Sequence, residues 1–187
     1  MRKTATLLML VLLLIAACRR REQSATSTRG SAQPPAKKAA PAAPAGTEVG
    51  SMMPEYSATF LDGSKFELAT KRDRVVLLNL WATWCGPCRA EIPELQVLHA
   101  KYGPKGFEVI GVSVDEGGAD GVKQFVDELK MTYPVALDPE AKLASLFQTS
   151  WLPTSVLVDR TGKIVWKRFG IITPDDAELT AAIEKAL

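Results

Sequence analysis

The stretch VVLLNLWATWCGPCRAEIPEL, residues 75–95, joins an apolar run to a helical pattern through a short segment that holds two cysteines. The nearly continuous apolar run Val75–Trp81 predicts a central strand that is buried on both faces. A helix should follow from about Gly86 to Tyr102, because apolar side chains recur there at helical spacing. Cys85 and Cys88 therefore lie where a buried strand passes into a helix.

Cys85 and Cys88 are two of only three cysteines in the chain, and only Gly86 and Pro87 separate them. Such a pair allows four interpretations: a redox-active dithiol, a metal site, a small structural disulfide or two ordinary buried thiols. The start of a helix presents unpaired N–H groups and a positive dipole, which favour an anion such as a thiolate. Because the thiolate is the reactive form of cysteine, this position favours redox chemistry.

The other three interpretations fit the sequence less well. A zinc site needs about four ligands, and the single histidine, His99, is the only further soft ligand in the domain, so we expect no metal. A disulfide that closes so small a loop stabilises a domain with its own core only slightly. Two inert thiols would have no need of this strand-to-helix position.

The chain after residue 53 alternates strand and helix patterns that fit one α/β domain with a central mixed sheet flanked by helices. In the last helix, Thr173 is the expected N-cap and Pro174 the first helical residue. The other predicted elements are a hairpin over Tyr56–Leu68, a strand over Phe107–Asp115, helices over Gly121–Lys130 and Pro139–Gln148, and a second hairpin over residues 154–169.

The first 17 residues have the pattern of a secretory signal peptide. Arg2 and Lys3 precede an apolar run of eleven residues, Leu7–Ala17, whereas a membrane-spanning helix needs about 20. The run ends in LIAAC, Leu14–Cys18, which resembles a bacterial lipobox. That resemblance implies cleavage before Cys18 and attachment of lipid to it. The alternative is an ordinary signal peptide with a chance cysteine.

Residues 18–53 are expected to form a disordered tether, because Ala, Pro, Ser, Thr, Gly, Lys and Arg dominate and few apolar side chains could build a core. The net charge of +2 comes from the signal and the tether, since residues 54–187 hold 15 Lys and Arg against 19 Asp and Glu. A mildly acidic domain argues against a nucleic-acid partner. The expected organisation is a lipoprotein signal over residues 1–17, the tether, and a domain over residues 54–187.

The stretch WCGPC, residues 84–88, resembles the active site of thioredoxin, and its surroundings resemble the membrane-anchored TlpA/ResA-like branch of the thioredoxin-fold family. The segments that carry this likeness are VVLLNLWATWCGPCRAEIPEL, GVSVDE, YPVALDP and WLPTSVLVDRTGKIV, in that order. The resemblance implies a thioredoxin-like fold with an N-terminal hairpin. It also implies a thiol-disulfide oxidoreductase that works through Cys85 and Cys88 and needs no bound cofactor.

The resemblance assigns roles to several further residues. Pro153 matches a cis-proline that faces the redox cysteines, and the backbone of Leu152 would pair with an extended client segment. Trp84, together with Gly86 and Pro87, would shape the surface on which the client docks.

Glu91 matches a carboxylate that this branch places three residues after the second cysteine. One turn from Cys88, it could accept a proton from that thiol, although a solvated helix carboxylate is the alternative interpretation. Asn79 stands where thioredoxin itself carries a buried Asp, so Glu91 is the better candidate for proton transfer.

The expected protein is therefore a monomeric, extracytoplasmic lipoprotein that reduces disulfides in client proteins, for example in cytochrome c or oxidase maturation. A separate thiol reductant would then reduce it again. Oxidation or isomerisation of disulfides is the alternative, as is a binding module without turnover, which would not need the cysteine pair. A peroxidase is disfavoured, because Ala82 and Leu78 occupy positions where its usual signature has Thr or Ser and Pro.

Overall fold

The computed structural model describes residues 46–187. This part of the chain forms seven strands and four α-helices, and two short 3₁₀ turns cover Leu68–Lys71 and Gly103–Lys105. The strands are β1 Ser57–Phe60, β2 Lys65–Glu67, β3 Val75–Trp81, β4 Phe107–Ser113, β5 Val135–Leu137, β6 Thr154–Val158 and β7 Ile164–Phe169. The helices are α1 Gly86–Tyr102, α2 Ala119–Glu128, α3 Lys142–Phe147 and α4 Ala177–Ala186.

All seven strands form one sheet in the order β2-β1-β5-β4-β3-β6-β7. β3 pairs in parallel with β4, and β4 with β5, whereas β6 runs antiparallel to β3. β1 and β2 form the expected N-terminal hairpin, and β6 and β7 form the second one. The sheet is therefore mixed, as the sequence predicts, with β3 near its centre.

Helices cover both faces of β3, which is buried along its whole length. Successive side chains of a strand point to opposite faces. Leu77 packs in a cluster with residues of α1 and α4, and Leu78 packs in a second cluster with residues of α3 and the N-terminal hairpin. Asn79 shares the face of Leu77, so it points toward α1.

The last helix begins later than the sequence predicts, at Ala177 instead of Pro174. Its N-cap is Asp176, whose carboxylate accepts a hydrogen bond of 3.0 Å from the backbone of Leu179, so the expectation for Thr173 is wrong. Asp175 has a left-handed backbone with φ of 60°, which a helix cannot continue.

The third helix is also shorter than predicted. Ala141 has φ of 51°, so regular helix starts only at Lys142. The carboxylate of Asp138 accepts hydrogen bonds from the backbone N–H groups of Lys142 and Leu143 and caps this turn. β5, a strand of three residues, has no counterpart among the predicted strands.

Residues 46–53, which the sequence assigns to the tether, pair with the domain. The N–H of Gly50 donates to the carbonyl of Ile164, and the N–H of Met53 donates to that of Gly162, each at 2.8 Å. Met52 forms a β-bridge with Lys163, and the Met53 side chain is buried. The expected signal, the Cys18 lipidation site and the rest of the tether lie outside the described residues. Within residues 46–187, every helix is too short or too polar to cross a bilayer.

Candidate redox site

Cys85 and Cys88 form a disulfide at the N-terminus of α1, with Cα atoms 5.3 Å apart. Cys85 is the N-cap of the helix, and its sulfur accepts a hydrogen bond of 3.2 Å from the backbone N–H of Cys88. This is the strand-to-helix position predicted from the sequence. The orphan N–H groups and the dipole of α1 therefore act on the sulfur of Cys85, where they favour negative charge.

Both sulfur-bearing side chains are buried, whereas Gly86 and Pro87 between them are exposed. Cys85 and Cys88 belong to an apolar cluster with Trp81, and Leu152 packs against its edge. The disulfide thus lies just beneath the surface, behind a short exposed turn.

Asp115, which follows β4, holds the segment that leads into the cysteines. Its carboxylate accepts hydrogen bonds from the backbone N–H of Thr83 at 3.0 Å and from the Thr83 hydroxyl at 2.6 Å. The hydroxyl of Ser113 donates to the same carboxylate at 2.7 Å. Asp115 therefore ties the loop before Cys85 to the end of the neighbouring strand.

The peptide bond between Leu152 and Pro153 is cis, as the resemblance implies. It immediately precedes β6, whose first residue Thr154 lies opposite Leu80 at the end of β3 where the cysteines follow. Among the described residues, neither backbone polar group of Leu152 has a hydrogen-bond partner. An extended peptide could therefore pair with Leu152 next to the disulfide.

Two tryptophans project into solvent beside these elements. Trp84 precedes Cys85 and is 72% exposed, and Trp151 precedes Leu152 and is 71% exposed. The backbone of Trp151 is fixed, because its N–H donates to the hydroxyl of Thr149 and its carbonyl accepts from the hydroxyl of Thr154. Exposed aromatic side chains of this size are typical of protein-binding surfaces.

Glu91 is buried beneath the disulfide on α1, with only 1% of its surface exposed. Its two carboxylate oxygens accept hydrogen bonds from the side-chain amide of Asn79 at 2.6 Å and from the backbone N–H of Ile172 at 2.8 Å. Burial raises the pKa of Glu91 to about 7, although both hydrogen bonds act in the opposite direction. The interpretation of Glu91 as a solvated helix carboxylate is therefore wrong.

A buried tyrosine lies near the same carboxylate. Burial and the charge of Glu91 both raise the pKa of Tyr133, so its hydroxyl stays protonated. His99, by contrast, lies further along α1, where its Nδ1 accepts a hydrogen bond from the backbone of Val109. Within residues 46–187, no three His, Cys, Asp or Glu side chains gather in a metal-binding arrangement.

Sequence reasoning missed Asp115, Trp151 and Ile172 as parts of this site. Trp151 carried a usable signal, since a large aromatic residue directly before the predicted docking residue Leu152 would be exposed with it. Asp115 lies on the loop after β4 and Ile172 on the loop after β7, and both reach the site only in the folded protein. No local sequence pattern predicts such contacts.

Comparisons with known proteins agree with this geometry. The model of the Redoxin family matches residues 48–183. The thiol-disulfide oxidoreductase ResA of a Bacillus cereus strain is 38% identical over 131 residues, which cover 70% of this chain and 75% of the relative.

Solved structures support the same assignment. A Chlorobium tepidum protein, provisionally assigned as the thiol:disulfide interchange protein DsbE, matches with a TM-score of 0.69 and 32% identity, over 74% of this chain and 97% of the other. A Bacteroides thetaiotaomicron protein, provisionally assigned as a protein disulfide isomerase, matches with a TM-score of 0.68 and 31% identity, over 75% of this chain and 90% of the other. The fold is therefore thioredoxin-like, and the chain belongs to the Redoxin family as a thiol-disulfide oxidoreductase of the ResA type with a Cys85–Cys88 pair.

Proposed function

We propose that this oxidoreductase is a lipid-anchored, extracytoplasmic reductase of protein disulfides. The observation that carries the proposal is the Cys85–Cys88 disulfide at the start of α1, beneath a surface with an unpaired backbone at Leu152. A dithiol at this position can pass two electrons to a client and become the disulfide.

The reaction takes place in two exchanges. The Cys85 thiolate attacks one sulfur of the client disulfide, which breaks that bond, releases one client thiolate and forms a mixed disulfide. The Cys88 thiolate then attacks the Cys85 sulfur, which releases the second client thiolate and leaves Cys85 and Cys88 paired. A second thiol partner returns two electrons, and the sulfur pair carries them without a cofactor.

Glu91 is the proposed proton acceptor for Cys88 in the second exchange. It lies one helical turn beyond Cys88, on the buried face of α1. With its pKa near 7, Glu91 can hold or release a proton at neutral pH, as a general base requires.

The client docks on the exposed surface around the disulfide. Gly86 and Pro87 expose the backbone of the active-site turn, and Leu152, next to the cis-proline Pro153, offers unpaired backbone groups. Trp84 and Trp151, the two exposed tryptophans, add apolar area for the side chains that flank the client cysteine. This is the mode in which an extended peptide pairs with exposed backbone groups.

Anchoring through lipid on Cys18 rests on the sequence of residues 1–18 alone. It would keep the domain on the outer side of a membrane and would require its reductant to reach that compartment. The Gly-Pro pair between the cysteines supports the reducing direction.

The midpoint potential of the full-length protein, titrated in thiol buffers, tests the direction of electron flow. We expect a value near the roughly −270 mV of thioredoxin, whereas a value near the roughly −120 mV of a strong oxidant would overturn the reductase proposal. Trp84→Phe should reduce the redox-dependent change of fluorescence, and Trp166→Phe, which removes a buried indole elsewhere, is the control.

Trapping of the mixed disulfide tests the assignment of the two cysteines. A Cys88→Ala variant should accumulate client proteins bound to Cys85, whereas Cys85→Ala should accumulate none. Equal trapping by both variants would contradict the proposed order of attack. A pure binding module would retain its partners when both cysteines are replaced.

A further inference from the structure

Three loops meet at the end of the sheet opposite the redox site. Residues 70–74 precede β3, residues 103–106 precede β4, and residues 159–163 join β6 to β7. Because β3 and β4 are parallel and β6 is antiparallel to β3, these loops lie at the same end. Cys85 follows the other end of β3. We name residues 70–74, 103–106 and 159–163 the basic end.

The three loops contact one another and form one surface. The N–H of Val75 donates to the carbonyl of Gly106 at 2.9 Å, and the guanidinium of Arg160 donates to the carbonyl of Lys105 at 3.0 Å. The guanidinium of Arg72 lies against Gly162, where it fills the space that a Cβ would need.

The basic end concentrates positive charge in an otherwise acidic domain. Its three loops hold six basic residues and two acidic ones, Asp73 and Asp159, whereas residues 54–187 as a whole carry an excess of four acidic residues. The carboxylate of Asp159 is engaged within its own turn, where it accepts hydrogen bonds from Thr161 and from the backbone N–H of Lys163.

Of the six basic side chains of the basic end, Lys71 forms an ion pair with Glu108 at 3.0 Å. Within residues 46–187, no carboxylate lies in ion-pair distance of the five remaining basic side chains, which are Arg72, Arg74, Lys105, Arg160 and Lys163.

The N-terminal segment enters the domain at this same end. The N–H of Gly46 donates to the carbonyl of Met52, and Met52 forms its β-bridge with Lys163 of the basic end. Forty-five residues precede Gly46, among them the apolar run, Cys18 and the basic triplet Arg19–Arg21. A lipid anchor at Cys18 would therefore be joined to the domain by a chain that reaches it beside the basic end.

We propose that the basic end is a docking surface for the headgroups of anionic phospholipid, and that it orients the domain on the membrane. The proposal rests on the proposed lipid anchor. Basic side chains near an anionic bilayer are attracted to its negative surface potential. β3 has seven residues, so it spans about 23 Å and places the redox site that much further from the headgroups. The disulfide would then face clients that approach from the aqueous side.

Hydrogen exchange on vesicles tests this orientation. The full-length protein, isolated from the membranes of a bacterial host, would be bound to vesicles of pure phosphatidylcholine or of phosphatidylcholine mixed with anionic phosphatidylglycerol, which gives the bilayer a negative surface potential. We expect the three loops of the basic end to be protected on the anionic vesicles alone. Protection should disappear in about 1 M salt, where the Debye length falls to about 3 Å.

A charge-neutralising pair of substitutions identifies the residues responsible. Lys105→Gln with Arg160→Gln should weaken docking about thirtyfold, since each basic residue near the surface contributes about fivefold. Lys65→Gln with Lys123→Gln removes the same charge from two exposed sites away from the basic end and should leave protection unchanged.

The possible outcomes distinguish failure of docking by the basic end from failure of the lipid anchor. If the protein sediments with both kinds of vesicle and shows no protection specific to the anionic ones, the basic end does not dock and the proposal is overturned. If it fails to sediment with phosphatidylcholine, the lipid anchor is overturned. In that case, loss of sedimentation with anionic vesicles in the K105Q/R160Q variant still supports the basic end, and unchanged sedimentation overturns it.

Discussion

The side-chain amide nitrogen of Asn79 lies 2.6 Å from Oε1 of Glu91, and both residues are buried. The partner of Asn79 comes from the helix that carries the cysteines, so one hydrogen bond joins β3 to α1 directly beneath the disulfide. Ser155 of β6 accepts a second hydrogen bond from the same amide at 3.0 Å. The site therefore keeps a titratable carboxyl group in a fixed position within the core.

Glu91 should make the free energy of unfolding fall as the pH rises from about 4.5 to about 7. The pKa of Glu91 is raised from 4.5 to about 7 in the folded protein, so the folded state holds a proton in this window that the unfolded state releases. The contribution is fully present below pH 4.5 and is lost as the pH rises through 7. The shift corresponds to about 3 kcal/mol.

Urea denaturation of the oxidised protein between pH 4 and pH 8 measures this effect. Relative to wild type, Glu91→Gln should gain about 3 kcal/mol across that range because it cannot ionise. Glu94→Gln, on the same helix but partly exposed, is the matched control. Parallel pH profiles for wild type and Glu91→Gln would contradict the raised pKa.

Glu91 should also control the exchange in which Cys88 attacks Cys85. A general base of this kind typically accelerates proton transfer by about 10²-fold or more, so Glu91→Gln should slow single-turnover resolution by about that factor at pH 8. The wild-type rate should rise through an inflection near pH 7, and the variant should lack it. Stopped-flow tryptophan fluorescence measures both. A slower rate with an unchanged inflection would mean that Glu91 only supports the packing.

Asn79→Asp should raise the apparent pKa of the buried carboxyl pair above 7. Two carboxylates at about the present separation of 2.6 Å cannot both ionise, so they should share one proton. The fall in unfolding free energy should then extend at least one pH unit higher than in wild type. Ser155→Ala, which removes only the other hydrogen bond of Asn79, is the control and should leave this window in place. If the fall in unfolding free energy occurs over the same pH range in Asn79→Asp as in wild type, the close contact between residues 79 and 91 is contradicted.

Much of this arrangement could be predicted from the sequence. The apolar run of β3, the helical pattern after it and the two cysteines between them determine where the disulfide lies. The burial of Glu91 also had a local signal, because Cys88, Glu91 and Leu95 fall on one face of a helix with a period of 3.6 residues. The alternative interpretation of Glu91, a solvated helix carboxylate, does not take this periodicity into account.

The remaining features depend on contacts between distant parts of the chain. The N–H of Ile172 that binds Glu91 lies 81 residues away in sequence, on the loop after β7. The pairing of residues 50–53 with residues 162–164 could not be predicted for a similar reason, since a short segment next to a Pro-rich stretch shows no strand pattern of its own. Such contacts follow from the tertiary fold, which the order of patterns alone does not specify.

Asp115 should be the main support of the loop that leads into the cysteines. Asp115→Ala removes the acceptor for the N–H and hydroxyl of Thr83, and we expect the free energy of unfolding to fall by about 2 kcal/mol. Amide hydrogen exchange at residues 83–85 should accelerate as well. Glu116→Ala, at the neighbouring exposed position, should change neither quantity. Equal effects of the two substitutions would contradict this role.

Trp151 should determine how well the protein binds protein substrates without affecting the sulfur chemistry. Its side chain is 71% exposed and adjoins Leu152, so Trp151→Ala should raise KM for the reduction of insulin about tenfold, the effect of losing one aromatic anchor. Reduction of glutathione disulfide, which is too small to reach Trp151, should keep its rate, and the midpoint potential should stay within about 30 mV. Val97→Ala, which removes an exposed apolar side chain from α1, away from Trp151, is the control. If the reduction of insulin and of glutathione disulfide slows equally, Trp151 acts on the disulfide itself, and the client surface does not extend to Trp151.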